Sequence, residues 1–171
     1  KQWMAHFTRS EQLQVLDQPR TLHATLRSYQ QFGYSWLDFM RRWNVGACLA
    51  DDMGLGKTIQ TIAMLLHEKE EKGKLPGPTL LICPTSVVMN WAKEVDKFAP
   101  SLNVHVHQGS FRLRGEEFAQ QAKASDLLIT SYPLLRRDEE MFNQIEWFGV
   151  VLDEAQNIKN AETKQARTIR Q

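Results

Sequence analysis

The chain has 171 residues, 42% of them hydrophobic and 24% charged, with a formal net charge of +1, an ordinary balance for one globular domain with a full core. Its apolar runs are strand-length and its amino end lacks a basic, apolar, cleavable pattern, so neither a membrane span nor an export signal is expected. A domain that gripped nucleic acid alone would carry a basic stripe; here acids and bases are interspersed, so any DNA contact is expected to be shared with something outside the chain.

Residues 1–25 lack a clear periodicity and read as a linker or the trailing edge of a preceding region. Over residues 26–42, Leu26, Tyr29, Gly33, Trp36, Leu37 and Met40 fall at helical spacing. An apolar run, residues 45–50, predicts a strand. After a glycine-punctuated turn, Ile59, Ile62, Ala63 and Leu66 predict an amphipathic helix that Gly73 and Pro76-Gly77-Pro78 bring to a stop. Residues 79–83 predict a second strand, broken by Pro84, and Ser86 is placed to cap a helix running to residue 98. Strands are further expected over 104–107, 126–130 and 148–152, with helices over 116–123, 134–143 and 161–170. Such alternation implies an α/β fold: a mostly parallel sheet with helices on both faces. Cys48 and Cys83 both fall in expected buried strands, as small hydrophobes. His105 and His107 share a strand face, but zinc takes three or four ligands and no further cluster accompanies them.

Two segments carry chemistry. In Ala50-Asp51-Asp52-Met53-Gly54-Leu55-Gly56-Lys57-Thr58, an apolar run leads into a tight turn and a helix, an arrangement whose backbone N–H groups close around phosphate oxygens. Gly54 and Gly56 supply bare backbone, Lys57 a point charge for the β and γ phosphates, and Thr58 a hydroxyl for Mg²⁺. Asp51 stands where the general pattern has its first glycine. Downstream, Val150-Val151-Leu152 runs into Asp153 and Glu154. Ligands of parallel sheets gather at the strands' carboxyl ends, which suits Asp153 to hold Mg²⁺ and Glu154 to orient or deprotonate an attacking water. Alone, the first segment is also a plain turn before a helix and the second a solvated acid pair; together they point to nucleotide hydrolysis.

With both motifs in place the chain resembles the first RecA-like lobe of a superfamily 2 helicase-like ATPase, and more narrowly the SWI/SNF family of ATP-dependent DNA translocases. Leu26-Arg27-Ser28-Tyr29-Gln30 with Gly33, Trp36 and Leu37 is similar to that family's adenine-side motif, and residues 49–58 to its phosphate loop, Asp51 included. Leu81 to Ser86 with Asn90, Trp91, Glu94 and Phe98, then Leu128 to Tyr132 with Arg136, Arg137 and Asp138, resemble its next motifs. The run from Asp153 to Asn160 looks most like bacterial and archaeal members. Ser28 replaces the usual proline, and Gln156 stands where many relatives have histidine.

The resemblance implies ATP and Mg²⁺ as ligands. Gln30 would read adenine, Asp52, Met53, Gly54, Leu55, Gly56, Lys57 and Thr58 would hold the phosphates and metal, and Lys57, Asp153 and Glu154 would be catalytic. Pro84, Thr85, Ser86, Asn90, Thr130, Ser131 and Tyr132 would touch the backbone of double-stranded DNA without reading sequence, and Gln156 would couple the nucleotide site to the rest. It also implies residues 26–171 as a first lobe ending before the later motifs, a second RecA-like lobe as partner, an unnamed DNA-bound cargo and no membrane. Without that lobe's arginines, weak ATP binding and scant hydrolysis are expected. The setting would be the cytoplasm, on the nucleoid, for a prokaryotic member and the nucleus for a eukaryotic one. Two alternatives stay open: a strand-separating helicase of a neighbouring family, and a nucleotide-switched interaction module.

Overall fold

The computed structural model describes residues 13–50 and 54–155. The chain divides into two compact units, Lys1–His67 and Glu68–Gln171. The coupling position Gln156 and the helix expected over 161–170 lie outside the described residues, as do Asp51, Asp52 and Met53.

In the first unit, helix α1 (Ser28–Arg42) carries Arg41 and Arg42 in its last turn, where positive charge suits the helix dipole. Both pair with the buried Asp38, at 2.8 and 2.6 Å. Asn44 follows with φ 55, a left-handed stop that asparagine adopts readily. Helix α2 (Lys57–Lys72) begins in this unit, and its buried Gln60 lies so close to Gly33 of α1 that a Cβ there would collide with the carboxamide. The described part of the expected linker, residues 13–25, forms no helix or strand but is fastened to α1: Ser35 Oγ accepts from Leu16 N at 3.0 Å, Gln31 Nε2 donates to Leu16 O at 2.8 Å, and Tyr34 donates to Asp17 O.

The strand expected over residues 45–50 is not formed; the segment is irregular and Cys48 is exposed rather than buried. Only Val45 and Leu49 have sizeable side chains there, and a Cβ added at Gly46 would meet nothing within 4 Å. A run of small residues has little to pack on a pleated surface.

In the second unit, β1 (Thr79–Cys83), β2 (Val104–His107), β3 (Leu127–Ser131) and β4 (Gly149–Leu152) form a four-stranded parallel sheet in the order β2-β3-β1-β4. All five residues of β1 and all five of β3 are buried, as continuous apolar runs in a covered parallel sheet should be. Leu80, Ile82 and Leu128 face a core built by Phe118 and Ala122 of α4 (Gly115–Ala124), Tyr132 and Leu135 of α5 (Tyr132–Arg137) and Phe142 of α6 (Glu139–Phe142). Helix α3 (Val88–Phe98) turns Val88, Trp91 and Val95 inward and packs along β2 and β3. Ser86 does not cap it: the residue lies in a 3-10 turn, Thr85–Val87, and Val87 occupies the cap position.

The single helix expected over residues 134–143 is divided at Asp138. The cause is a buried ionic cluster. Arg112 donates through Nε and Nη2 to both oxygens of Asp138 at 2.6 and 2.9 Å, while His107 Nε2 lies 2.9 Å from Oδ2. His107 is fully buried between the Phe118 and Phe142 rings, with centroids at 4.9 and 5.3 Å. Removing one partner of a buried pair strands the other.

Arg112's hydrogen bonds, more than any other contact, hold the Asp138 carboxyl at about 2, below its ordinary 3.8. The cluster's stabilisation is therefore complete above about pH 4 and fades as pH falls through 2. Asp138→Asn should cost about 3 kcal/mol at pH 7 in urea melts and flatten the loss of stability between about pH 4 and 2; equal midpoints for both proteins at pH 7 would contradict it.

Candidate functional site

Because the sheet is parallel, the segments leaving β1, β2, β3 and β4 all emerge at one edge. Asp153 comes directly after β4, its N–H donating to Ile82 O at 2.9 Å and so continuing the pairing with β1. Its side chain is gripped. Trp91 Nε1 donates to Oδ2 at 2.7 Å, and the Glu154 N–H donates to Oδ1 at 2.9 Å. From the end of β3, the buried Tyr132 donates its hydroxyl to the Asp153 carbonyl at 2.7 Å. Burial, then the neighbouring Asp153, push the Tyr132 phenol to about 12, so it stays a donor. Glu154 is exposed and takes φ 51, a left-handed conformation that side chains other than glycine seldom adopt.

Each carboxylate oxygen offers two lone-pair sites, so Asp153 keeps one on each oxygen for a hard cation or its water. Among the described residues no group of three or more His, Cys, Asp or Glu side chains gathers as a metal cage. That donor chemistry fits Mg²⁺, which keeps several waters and takes one or two protein oxygens beside substrate phosphates.

Beyond Asp153 the same edge holds a cleft of about 500 Å³ lined by Thr85, Gln108, Ser110, Arg114, Ser131 and Arg137, among others. Thr85 is exposed there, and Ser131 Oγ is buried with no hydrogen-bond partner among the described residues. Arg112 forms part of the wall, with its guanidinium committed to Asp138 and the Gly109 carbonyl. Of the other residues expected to touch DNA, Ser86 and Asn90 are exposed and Pro84 is half-buried. Thr130 is fully buried and donates to His107 O at 3.2 Å, so its hydroxyl faces β2 rather than solvent. Gln108, Ser110 and Arg114 had no motif to announce them; the signal available was a polar, basic stretch directly after a short strand.

In the first unit, Gly54 and Gly56 take φ of +86 and +80. At Gly56 a side chain would also collide with the Gln30 amide. Gln30 uses both ends of that amide: Oε1 accepts from Arg27 N at 3.0 Å and Nε2 donates to Leu55 O at 3.3 Å. The turn of the first helix is thereby tied to the glycine loop. Lys57 and Thr58 open α2, and the Gln60 N–H of its first turn donates to the Gly56 carbonyl at 3.2 Å.

Residues 29–171 match the family model of the SNF2-related domain. The chain is 53% identical over 146 residues to YwqA of Bacillus subtilis, named as an ATP-dependent helicase/translocase, covering 85% of this chain and 16% of that protein. It is 45% identical over 157 residues to helicase SWR1 of Eremothecium gossypii, covering 90% of this chain and 10% of the relative. Among solved structures, the SWI2/SNF2 ATPase core of Sulfolobus solfataricus in complex with dsDNA superposes with a TM-score of 0.79 at 42% identity, over 91% of this chain and 31% of that one. The chain thus spans a small part of each relative's length.

Burial, then the nearby Asp153, push the Cys83 thiol up to about 12 from 9.0, whereas Cys48 is exposed. At about 12 rather than 9.0, Cys83 carries about 10³-fold less thiolate at pH 8 than a thiol at its ordinary value. Iodoacetamide at pH 8 should label Cys48 in the native protein and Cys83 only after denaturation, read by peptide mass mapping; native labelling of Cys83 at a comparable rate would show that the end of β1 is open.

Proposed function

Because this chain belongs to the SNF2-related domain family, we propose that it is the ATP-binding lobe of a DNA-dependent ATPase that moves along double-stranded DNA and remodels protein–DNA complexes. The observation that supports this most is Asp153, set at the carboxyl end of β4 and held there from α3 and α5. In this reading residues 26–171 are the first of two RecA-like lobes, and a second supplies the arginines that complete the site.

Lys57 meets the β and γ phosphates while the backbone at Gly54 and Gly56 wraps them, the positive φ of the two glycines letting it approach. Thr58 and Asp153 would hold Mg²⁺, whose charge, when bound, offsets that of the phosphate oxygens. Glu154 orients the attacking water and accepts its proton. Gln30 has an amide acceptor and donor matched to adenine N6 and N7, the pair of groups it now exchanges with Arg27 and Leu55. Thr85, Arg114 and Arg137 offer hydroxyl and guanidinium donors to a sugar–phosphate backbone, with Ser131 in the wall behind them, which positions a duplex without reading it. ATP binding and hydrolysis then close and open two lobes that grip the duplex in alternation. The named relatives and the dsDNA-bound archaeal core support this choice over a nucleotide-switched module.

In the full-length protein, Lys57→Ala and Glu154→Gln should each lower DNA-stimulated ATP turnover by about 10³-fold. A protein whose Glu154→Gln variant kept its DNA-dependent output would be a switch instead. The isolated chain should hydrolyse ATP about 10³- to 10⁵-fold more slowly than the full-length protein, measured as steady-state phosphate release with saturating duplex. Duplex affinity should fall steeply with salt, log K dropping by about 0.9 per phosphate neutralised; a flat response in fluorescence anisotropy would rule out backbone binding.

A further inference from the structure

Asp153 is held by two aromatic side chains that belong to the segments lining the cleft. Thr85 lies in the turn after β1, and that turn feeds α3, where Trp91 donates to the Asp153 carboxylate at 2.7 Å. Ser131 ends β3, and the next residue, Tyr132, donates to the Asp153 carbonyl at 2.7 Å. Trp91 is 6% exposed and Tyr132 4%, so neither ring has room to swing without repacking its surroundings. One contact fixes the side chain of the acid and the other fixes its backbone.

The two lining residues therefore reach Asp153 through short, stiff paths: about two helical turns in one case, a single peptide unit in the other. A ligand that pulls Thr85 and Ser131 together cannot leave the two aromatic donors where they were. Building on the DNA-dependent ATPase reading above, we infer that Trp91 and Tyr132 are positioning residues through which a phosphate backbone seated in the cleft sets the orientation of the Asp153 carboxylate. Trp91 fixes which carboxylate oxygen remains open; Tyr132 fixes the peptide that joins Asp153 to Glu154. Both rings are buried and both donors are taken up by Asp153. Hydrogen bonds that orient a metal-holding side chain are commonly worth about 10- to 100-fold in affinity or activity.

The test uses the full-length protein and the variants Trp91→Phe and Tyr132→Phe, which keep an aromatic ring and remove only the donor. Each should lower DNA-stimulated kcat by about 10- to 100-fold. Duplex affinity and the KM for ATP should stay within about twofold, a split that general loosening of the fold would not produce. A second readout needs no turnover. With ¹⁵N-indole labelling of the tryptophans, the resonance missing from Trp91→Phe should shift when a short duplex is added without nucleotide, and its position should differ in Asp153→Asn. If wild type shows DNA-stimulated turnover and both variants match it, the positioning role is overturned while the proposed function stands. If the Trp91 resonance ignores duplex that is demonstrably bound, transmission from the cleft is overturned. If wild type itself shows no DNA stimulation, the proposed function falls and the positioning role with it.

Discussion

The parallel pairing of β1 on both its sides is the constraint from which the remaining geometry follows. Thr79 to Cys83 align with Leu127 to Ser131 on one flank, and Thr79 to Ile82 align with Gly149 to Leu152 on the other. With every strand pointing the same way, each polar segment that follows a strand must emerge on the same rim. The hydroxyls after β1 and β3, the basic loop after β2 and the acid after β4 become neighbours without any contact being needed to recruit them. β1 can hold that central place because both of its faces are apolar and it carries no charge that a covering helix would have to satisfy.

A second constraint keeps the rim in shape. The loop after β2 would be free to wander, yet Arg112 anchors it through a two-pronged bond to Asp138 and a further bond to the Gly109 carbonyl at 3.0 Å. The carboxylate that receives Arg112 also receives His107 from the strand itself. One buried acid thus ties strand, loop and helix, at the cost of dividing a helix in two. The guanidinium of Arg114, two residues on, is left exposed at the cleft. Burial in this surround lowers the His107 pKa despite its carboxylate neighbour, which favours the neutral imidazole.

What could be read beforehand was whatever the chain declares locally. The strand at Thr79–Cys83 is a continuous apolar run between two proline breaks, and it formed with those bounds. The strand at 104–107 and the glycine that ends α2 were legible for similar reasons, Gly73 taking φ +75. Features set by partners distant in sequence were not. Nothing near Asp138 announces that an arginine 26 residues earlier will claim it. The resemblance sets Tyr132 among the residues that would touch DNA, but its ring is in the core and its hydroxyl is turned to Asp153. Residues 45–50 misled in the opposite direction: their hydropathy resembled a buried strand, while their side chains are too small to make one worth forming without a neighbour. Of the candidate site, the acid pair and the glycine loop stand out in the sequence as motifs; the aromatic grip on Asp153 does not, since Trp91 lies 62 residues away from it.

Glu154 adopts a backbone conformation in which a residue with a β-carbon sits uphill by about 1 kcal/mol. Glycine would relieve that tension and leave the hydrogen bond from this residue's own amide to Asp153 untouched, since that bond needs no side chain. The carboxylate thus hangs from the point on the exposed turn after β4 where the backbone least welcomes a side chain.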